Sequence, residues 1–180
     1  MAAAAGLVGQ AMIDRTWVAT MARYNAWQNE SLYAAAATLS DADRKLDHGA
    51  FFKSIHGTFN HLLWGDHNWM SRFAALPKPP IANAQSASWF EDFATLRAER
   101  VRFDRVTADW AAHIAPAWLD GEISWYSGAL DKTMTAPVWL VVTHFFNHQT
   151  HHRGQAHAML TAAGAKPDDT DLILLLDRLP

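Results

Sequence analysis

Apolar side chains recur every three or four residues in four long stretches of the chain, the spacing that places them on one face of an α-helix. The first stretch, residues 13–39, contains no proline or glycine. Alanine, its commonest residue, is also the best helix former. The positions that repeat at helical spacing are Trp17, Met21, Tyr24, Gln28 and Leu32. The pattern predicts one long helix here, followed by a break at residues 40–43.

Proline, glycine and capping residues separate three further predicted helices. The second covers residues 51–75 and ends before a proline-rich linker at 77–87. Ser88 and Glu91 have the S-x-x-E spacing of a capping box, so a third helix is predicted from 88 to about 112. The fourth covers residues 135–163, with proline in its first turn and Gly164 as a candidate terminator.

The stretches between and beside these helices complete the predicted architecture. Residues 116–135 break the helical period and predict a short hairpin or extended loop. Residues 172–176 are apolar and are expected to pack against the helices or a second subunit. The charged residues of the third helix are most simply a solvated face: Arg97, Glu99, Arg100, Arg102, Asp104 and Arg105. The prediction is all-α, a four-helix bundle with a short insert before the last long helix.

Composition limits the functional class. The chain has 180 residues, 50% of them hydrophobic and 18% charged, with a net charge of -3 and no cysteine. We expect residues 1–11 to be a flexible extension and residues 12–180 to form one domain. The sequence has no cluster of basic residues of the kind that indicates nucleic-acid binding. No apolar run approaches the ~20 residues that span a bilayer. Absent cysteine rules out disulfides and thiolate ligands from the chain, and we expect a cytoplasmic protein.

Histidine is unusually frequent, and three histidines stand in one file on the fourth predicted helix. His144, His148 and His152 are four residues apart, so each lies one turn from the next on the same face. Imidazoles one turn apart can bind one metal ion, whereas His144 and His152 are about 12 Å apart along the axis. The pair that binds one metal ion is therefore either His144 with His148 or His148 with His152, and we call this pair the histidine clip. The structural alternative, histidines buried in a core, requires each to find a hydrogen-bonding partner.

A third ligand must come from another helix, and His61 is the best candidate. His56, His61 and His67 lie on different faces of the second predicted helix, so only one can face a given site. Three imidazoles suit Zn²⁺, Ni²⁺, Fe²⁺ or Mn²⁺ and leave a coordination position open, as in catalytic metal sites.

Other catalytic patterns fit less well. The segment from His148 to His152 has Gln149 where an H-E-x-x-H metalloprotease helix has its glutamate base. No glutamate stands three residues before a histidine, so a di-iron bundle is disfavoured. No G-x-S-x-G turn or phosphate-binding loop is present.

Several neighbours are candidates for the pocket or for support of the ligands. Gln155, Asp66 and Asn147 could orient an imidazole, and Arg153 could hold an anionic substrate. Each has an ordinary alternative as a helix-surface or interhelical hydrogen-bonding residue. The candidate pocket residues are His144, His151, Gln155, Trp64, Asn68, Tyr24 and Arg153.

Three motifs resemble the DinB (damage-inducible) family over residues 12 to the end. They are Arg23-Tyr-Asn-Ala-Trp27, the segment from Gly57 to Asp66, and the segment from His144 to Gln155. The resemblance implies a four-helix bundle with up-down-down-up connectivity, often a homodimer. It also implies a divalent metal on His61, His148 and His152, which leaves His144 and His151 as pocket or supporting residues.

The resemblance implies a class of activity as well. Related branches are thiol-dependent transferases or isomerases that use glutathione, bacillithiol or mycothiol. The leading hypothesis is therefore a metal-dependent enzyme, a thiol-dependent transferase acting on a small electrophile. The alternative is a non-catalytic metal-binding or small-ligand-binding protein of the stress response.

Overall fold

The four long stretches with helical spacing form four long helices. The computed structural model describes residues 11–128 and 130–178, so the extension expected at residues 1–11 lies outside them except for residue 11. The long helices are α1 (Arg15–Ala37), α3 (Ile55–Phe73), α4 (Phe93–His113) and α6 (Val138–Ala162). Helix α1 packs against α4 and α6, and α3 packs against the same two helices. The chain is mostly helical, and the up-down-down-up order of a bundle stays a prediction.

Short elements connect the long helices. Helices α2 (Asp41–Lys45) and α5 (Pro116–Leu119) follow α1 and α4, and 3₁₀-helices cover Asn83–Ser88 and Leu172–Arg178. The predicted hairpin is present as strands β1 (Glu122–Ser127) and β2 (Lys132–Pro137). They pair antiparallel from Glu122 opposite Pro137 to Ser127 opposite Lys132. The hairpin delivers the chain directly into the first turn of α6.

The core is built from large apolar side chains on the inner faces of the long helices. Aromatic rings from three of them meet there, with Phe73 of α3, Trp110 of α4 and Phe145 of α6 in mutual contact. The largest fully buried apolar side chains are Phe59, Phe103, Phe145, Phe146, Ile55, Leu63, Met70, Leu96, Leu119, Leu160 and Val18. This packing fixes α3 and α6 side by side, which is the geometry the candidate site requires.

Two local predictions for α4 are wrong. Ser88 belongs to the preceding 3₁₀-helix, and the cap of α4 is Asp92, which accepts a hydrogen bond from the Thr95 amide at 2.7 Å. The charged residues of α4 are not all solvated, because Arg100 is 3% exposed and Asp104 is 8% exposed. Their burial is possible because Arg100 pairs with Asp104 and with Asp66 of α3.

Candidate metal centre

Helices α3 and α6 bring His61, His148 and His152 together. One ring nitrogen from each lies within 4.8 Å of the others. The Nε2 atoms of His61 and His148 are 3.2 Å apart. His61 and His152 are buried, and His148 is partly buried. Of the two possible clips on α6, the structure places His148 and His152 beside His61.

The spacing of two of these nitrogen atoms, those of His61 and His148, fits a small divalent ion. Ligand nitrogens about 2.0–2.1 Å from a tetrahedral ion lie about 3.3 Å from one another, close to the 3.2 Å between His61 and His148. The same distance also fits a hydrogen bond in which one imidazole donates to the other. The Nδ1 atom of His148 is buried without a hydrogen-bonding partner. The three histidines could therefore hold a metal ion.

Two of the three imidazoles are oriented through their other nitrogen. His152 Nδ1 lies 2.8 Å from Gln155 Oε1. Since an amide oxygen only accepts hydrogen bonds, Nδ1 carries the proton and Nε2 keeps a free lone pair. His61 Nδ1 lies 2.9 Å from Ser86 Oγ, a hydrogen bond that restrains the orientation of the His61 ring. Supporting hydrogen bonds of this kind are the usual companions of histidine ligands.

The third imidazole, His148, is positioned by close packing on α3. A Cβ atom added to Gly65 would lie only 2.9 Å from His148 Cε1, a separation that real Cβ atoms do not tolerate. Gly65 lies one helical turn after His61. The missing side chain therefore leaves the space in which His148 approaches His61.

Gly65→Ala is expected to weaken metal binding by about 10- to 100-fold, the range seen when support of a ligand is lost. The added methyl group must displace the His148 ring, whereas the helix itself tolerates alanine. Titration of the purified variant with Zn²⁺ or Ni²⁺ measures the change. Gly154→Ala is the matched control, because a Cβ atom at Gly154 contacts nothing within 4 Å. Equal affinities of the two variants would refute the packing argument.

Burial keeps the three imidazoles neutral. Desolvation, with a smaller contribution from His152, lowers the pKa of His61 to about 3. Desolvation and the neighbouring histidines lower the pKa of His148 to about 3, and burial also lowers the pKa of His152. Neutral imidazole is the form that donates a lone pair to a metal. At neutral pH the cluster is therefore ready to bind.

The metal-free protein is expected to lose stability as the pH falls from about 6.5, the unfolded pKa of histidine, toward 3. In this window the unfolded chain binds protons that folded His61 and His148 do not, so the free energy of unfolding decreases with falling pH. Denaturant unfolding of chelator-treated protein at pH 7.5, 6.5 and 5.5 measures the slope. The His61→Gln variant should show a shallower slope, and identical slopes would contradict the assignment.

The other histidines of the two helices face different surroundings. His144 lies one turn before His148, with ring centroids 6.0 Å apart, and packs edge-on against Trp69. His56 Nε2 contacts the carbonyl oxygen of Phe90 at 2.8 Å. His67 stacks on Phe103 and lies 3.1 Å from a Glu99 carboxylate oxygen. Of the three histidines of α3, His61 is the one that lies beside His148 and His152.

An open cavity of about 640 Å³ adjoins the cluster. Phe52 forms part of its wall and stacks on His61, with centroids 3.7 Å apart. Its segment can approach α3 so closely because residue 57 is glycine: a Cβ there would lie 2.4 Å from the Phe52 carbonyl oxygen. The lining residues are Phe51, Phe52, His61, Asn83, Ala84, Ser86, Ala87, His151, His152 and Gln155.

The predicted pocket residues divide between this cavity and other places. His151 and Gln155 line the cavity, and Gln155 Nε2 lies 3.2 Å from His151 Nε2. Trp64 stacks 6.2 Å from His61, but its indole N–H donates to the Ile81 carbonyl oxygen. Asn68 does not line the cavity.

Four other candidates lie away from the imidazoles. Tyr24 and Arg153 line a different cavity, between α1 and α6. Asp66 accepts hydrogen bonds from Arg100 and Gln149, and Asn147 is exposed on α6. Asp66 therefore takes the alternative role given for it, that of an interhelical hydrogen-bonding residue, with Arg100 of α4 and Gln149 of α6 as its partners.

Comparison with known families agrees with this geometry. The model of the DinB family matches residues 12–178, nearly the whole chain, and the match includes all three clustered histidines. This chain belongs to the DinB family. A comparison with curated proteins found no match. Within the described part of this DinB chain, no helix is both long and apolar enough to cross a membrane.

Two residues that support this DinB site, Ser86 and Phe52, were not identified from the sequence. Ser86 lies in the stretch interpreted as a linker, and Phe52 lies before the first turn of α3. Neither belongs to a periodic pattern. The dipeptide Phe51-Phe52 shortly before a histidine-bearing helix was the available signal, although aromatic residues at a helix start are usually core.

Proposed function

We propose that this DinB-family protein is a divalent-metal-dependent enzyme, a thiol-dependent transferase that acts on a small electrophile. The observation that carries the proposal is the cluster of three neutral imidazoles beside an open cavity. Three protein ligands with access from solvent are the arrangement of catalytic sites, whereas structural sites use four. His61, His148 and His152 would hold Zn²⁺, Ni²⁺, Fe²⁺ or Mn²⁺.

A bound ion would act as a Lewis acid that lowers the pKa of a coordinated thiol. The chain has no cysteine, so the thiol would come from a low-molecular-weight cofactor. Gln155 and Ser86 hold the imidazoles of His152 and His61 in the ligating orientation. These contacts reduce the freedom that the ligands must lose on binding.

The cavity favours an uncharged, partly apolar electrophile. No carboxylate, lysine or arginine side chain lines it among the described residues. Phe51, which is 82% exposed, and Phe52 offer aromatic surface at its wall. Asn83, His151 and Gln155 supply the polar groups that could orient a substrate.

The test has two stages on protein purified without a histidine tag. Elemental analysis determines which metal is bound and in what ratio, with about one ion per chain expected. The metal-loaded protein is then incubated with glutathione, bacillithiol or mycothiol and 1-chloro-2,4-dinitrobenzene, and thioether formation is followed by absorbance. His152→Ala should abolish turnover, whereas His144→Ala should retain it. If the protein binds one metal ion per chain but shows no turnover with any of these thiols and a wider panel of electrophiles, the enzymatic proposal is wrong.

A second candidate is a protein that binds a metal or small ligand without catalysis. It is favoured by the lining of the cavity, which includes no Asp or Glu that could serve as a general base among the described residues. Bound metal with unaltered thiols in the test above would support this alternative.

A homodimer and a cytoplasmic location complete the proposal. Both come from the resemblance and the composition. Sedimentation of the purified full-length chain measures the dimer directly, and a single monomeric species at micromolar concentration would contradict it.

A further inference from the structure

Arg153 is a buried cation without a carboxylate partner among the described residues. Its side chain is 5% exposed. The guanidinium donates to Asn25 Oδ1 and, at 3.3 Å, to Thr150 Oγ1, and it lies over the Tyr24 ring at 5.5 Å. All three partners are neutral. Arg100, which is equally buried, contacts two carboxylates instead.

The surroundings of Arg153 leave its charge poorly balanced at close range. The buried carboxylates among the described residues are those of Asp66 and Asp104. Those two carboxylates directly contact Arg100 and lie beyond contact distance of Arg153. A guanidinium has five N–H donors, and only two hydrogen bonds from Arg153 are formed within the described chain.

Arg153 also lines a cavity of about 370 Å³ between α1, α6 and the segment that follows α6. The cavity is separate from the one beside the metal centre, since the two have no lining residue in common. Its lining residues are Tyr24, Gln28, Leu32, Thr150, Arg153, Gly154, His157 and Thr170. None of these lining residues is acidic, and His157 adds a second basic side chain beside Arg153.

We infer that this cavity, which we call the Arg153 cavity, is a binding site for a small organic monocarboxylate. The remaining guanidinium donors match the two oxygens of a carboxylate. Tyr24 and Leu32 provide apolar surface for the body of the ligand. The volume is at the lower end of the range for small-molecule sites.

The position of the C-terminal segment argues for a single negative charge. Tyr24 Oη donates to the Thr170 carbonyl oxygen at 2.6 Å, and Gln28 Nε2 donates to that of Asp169 at 2.9 Å. These bonds hold Asp169 and Asp171, the neighbours of Thr170, near the cavity. Burial raises the pKa of Tyr24, and Asp171 is close enough to add to that increase. A dianion such as phosphate would meet this acidic segment, whereas a monocarboxylate meets less repulsion.

The test is calorimetric titration of the full-length protein with benzoate, benzamide and inorganic phosphate. Benzoate is expected to bind saturably, with benzamide weaker by about 10- to 100-fold because it cannot form charge-assisted hydrogen bonds. Because carboxylates also bind metals, the titration is repeated on His148→Ala, which should bind benzoate equally well. Loss of binding in that variant would place the anion at the metal and overturn the inference.

Two variants locate the ligand without removing the buried charge. Gly154 lines the Arg153 cavity, is exposed, and has open space around an added Cβ atom. Gly154→Leu should therefore reduce benzoate affinity at least about 10-fold without unfolding the protein. Ala158→Leu, exposed on the same helix and outside the cavity lining, should leave it unchanged. Equal binding by both variants, absence of saturable binding, or equally tight phosphate binding would each overturn the assignment.

Discussion

Replacing His148 by alanine is expected to abolish specific metal binding. His148 forms one corner of a triangle of imidazoles, with ring centroids 5.2 Å from His61 and 4.5 Å from His152, while those of His61 and His152 are 4.8 Å apart. Without it, two imidazoles from different helices remain and no longer enclose an ion. The loss of affinity should exceed the roughly 100-fold that removal of a supporting residue can cause.

The measurement is a competition titration of Zn²⁺ against a chromophoric chelator, together with elemental analysis of the purified variant. His144→Ala is the control, since His144 lies one turn earlier on α6 and is exposed. That control should keep the wild-type stoichiometry. If His148→Ala retains one tightly bound ion per chain, the three-histidine centre is wrong.

Replacing Arg100 by methionine is expected to destabilise the fold by about 3–5 kcal/mol. Arg100 Nη1 lies 2.5 Å from Asp66 Oδ2, and Nη2 lies 2.8 Å from Asp104 Oδ1. The variant leaves both carboxylates buried without their cation. Asn29 would still donate a hydrogen bond to Asp104, and Gln149 would still donate one to Asp66, each at 2.9 Å. These neutral donors do not compensate for the loss of the positive charge.

Urea unfolding measures the stability of Arg100→Met and of a surface control variant. Their comparison separates the effect of losing a buried cation from the effect of losing any positive charge. Arg102→Met is that control: Arg102 is 57% exposed and pairs with Glu99 on the same helix, so about 1 kcal/mol or less is expected. Adding Asp66→Asn and Asp104→Asn to Arg100→Met should recover part of the stability, because the unpaired charges are removed. A loss no larger for Arg100→Met than for Arg102→Met would contradict the buried network.

The sequence predicted the long helices and the histidine clip because both depend on local spacing. The predicted fourth helix, residues 135–163, corresponds to Val138–Ala162. The hairpin before it is also confirmed. His148 and His152 could be paired from their four-residue separation alone. His61 was preferred to His56 and His67 because its predicted helix face carries small, aromatic and polar residues, which suits a pocket wall.

Contacts between distant segments were beyond the reach of spacing arguments. Arg100 and Asp104 have the i,i+4 separation of an exposed ion pair, and nothing in α4 shows that Asp66 of another helix faces them. Ser86 has no periodic context, so its contact with His61 required the fold. Tyr24 and Arg153 were grouped with the metal pocket because they carry suitable chemistry. The rotation of α6 turns Arg153 into the Arg153 cavity instead, where Tyr24 of α1 also lies.

That rotation has an evolutionary consequence. His152 and Arg153 are adjacent in the chain, yet they open onto separate cavities. Each residue turns an α-helix by about 100°, so a single codon inserted or deleted between Gln149 and His152 would aim every later side chain at the wrong neighbour. Descendants of this sequence must therefore inherit the length of α6 between His148 and His152 unchanged.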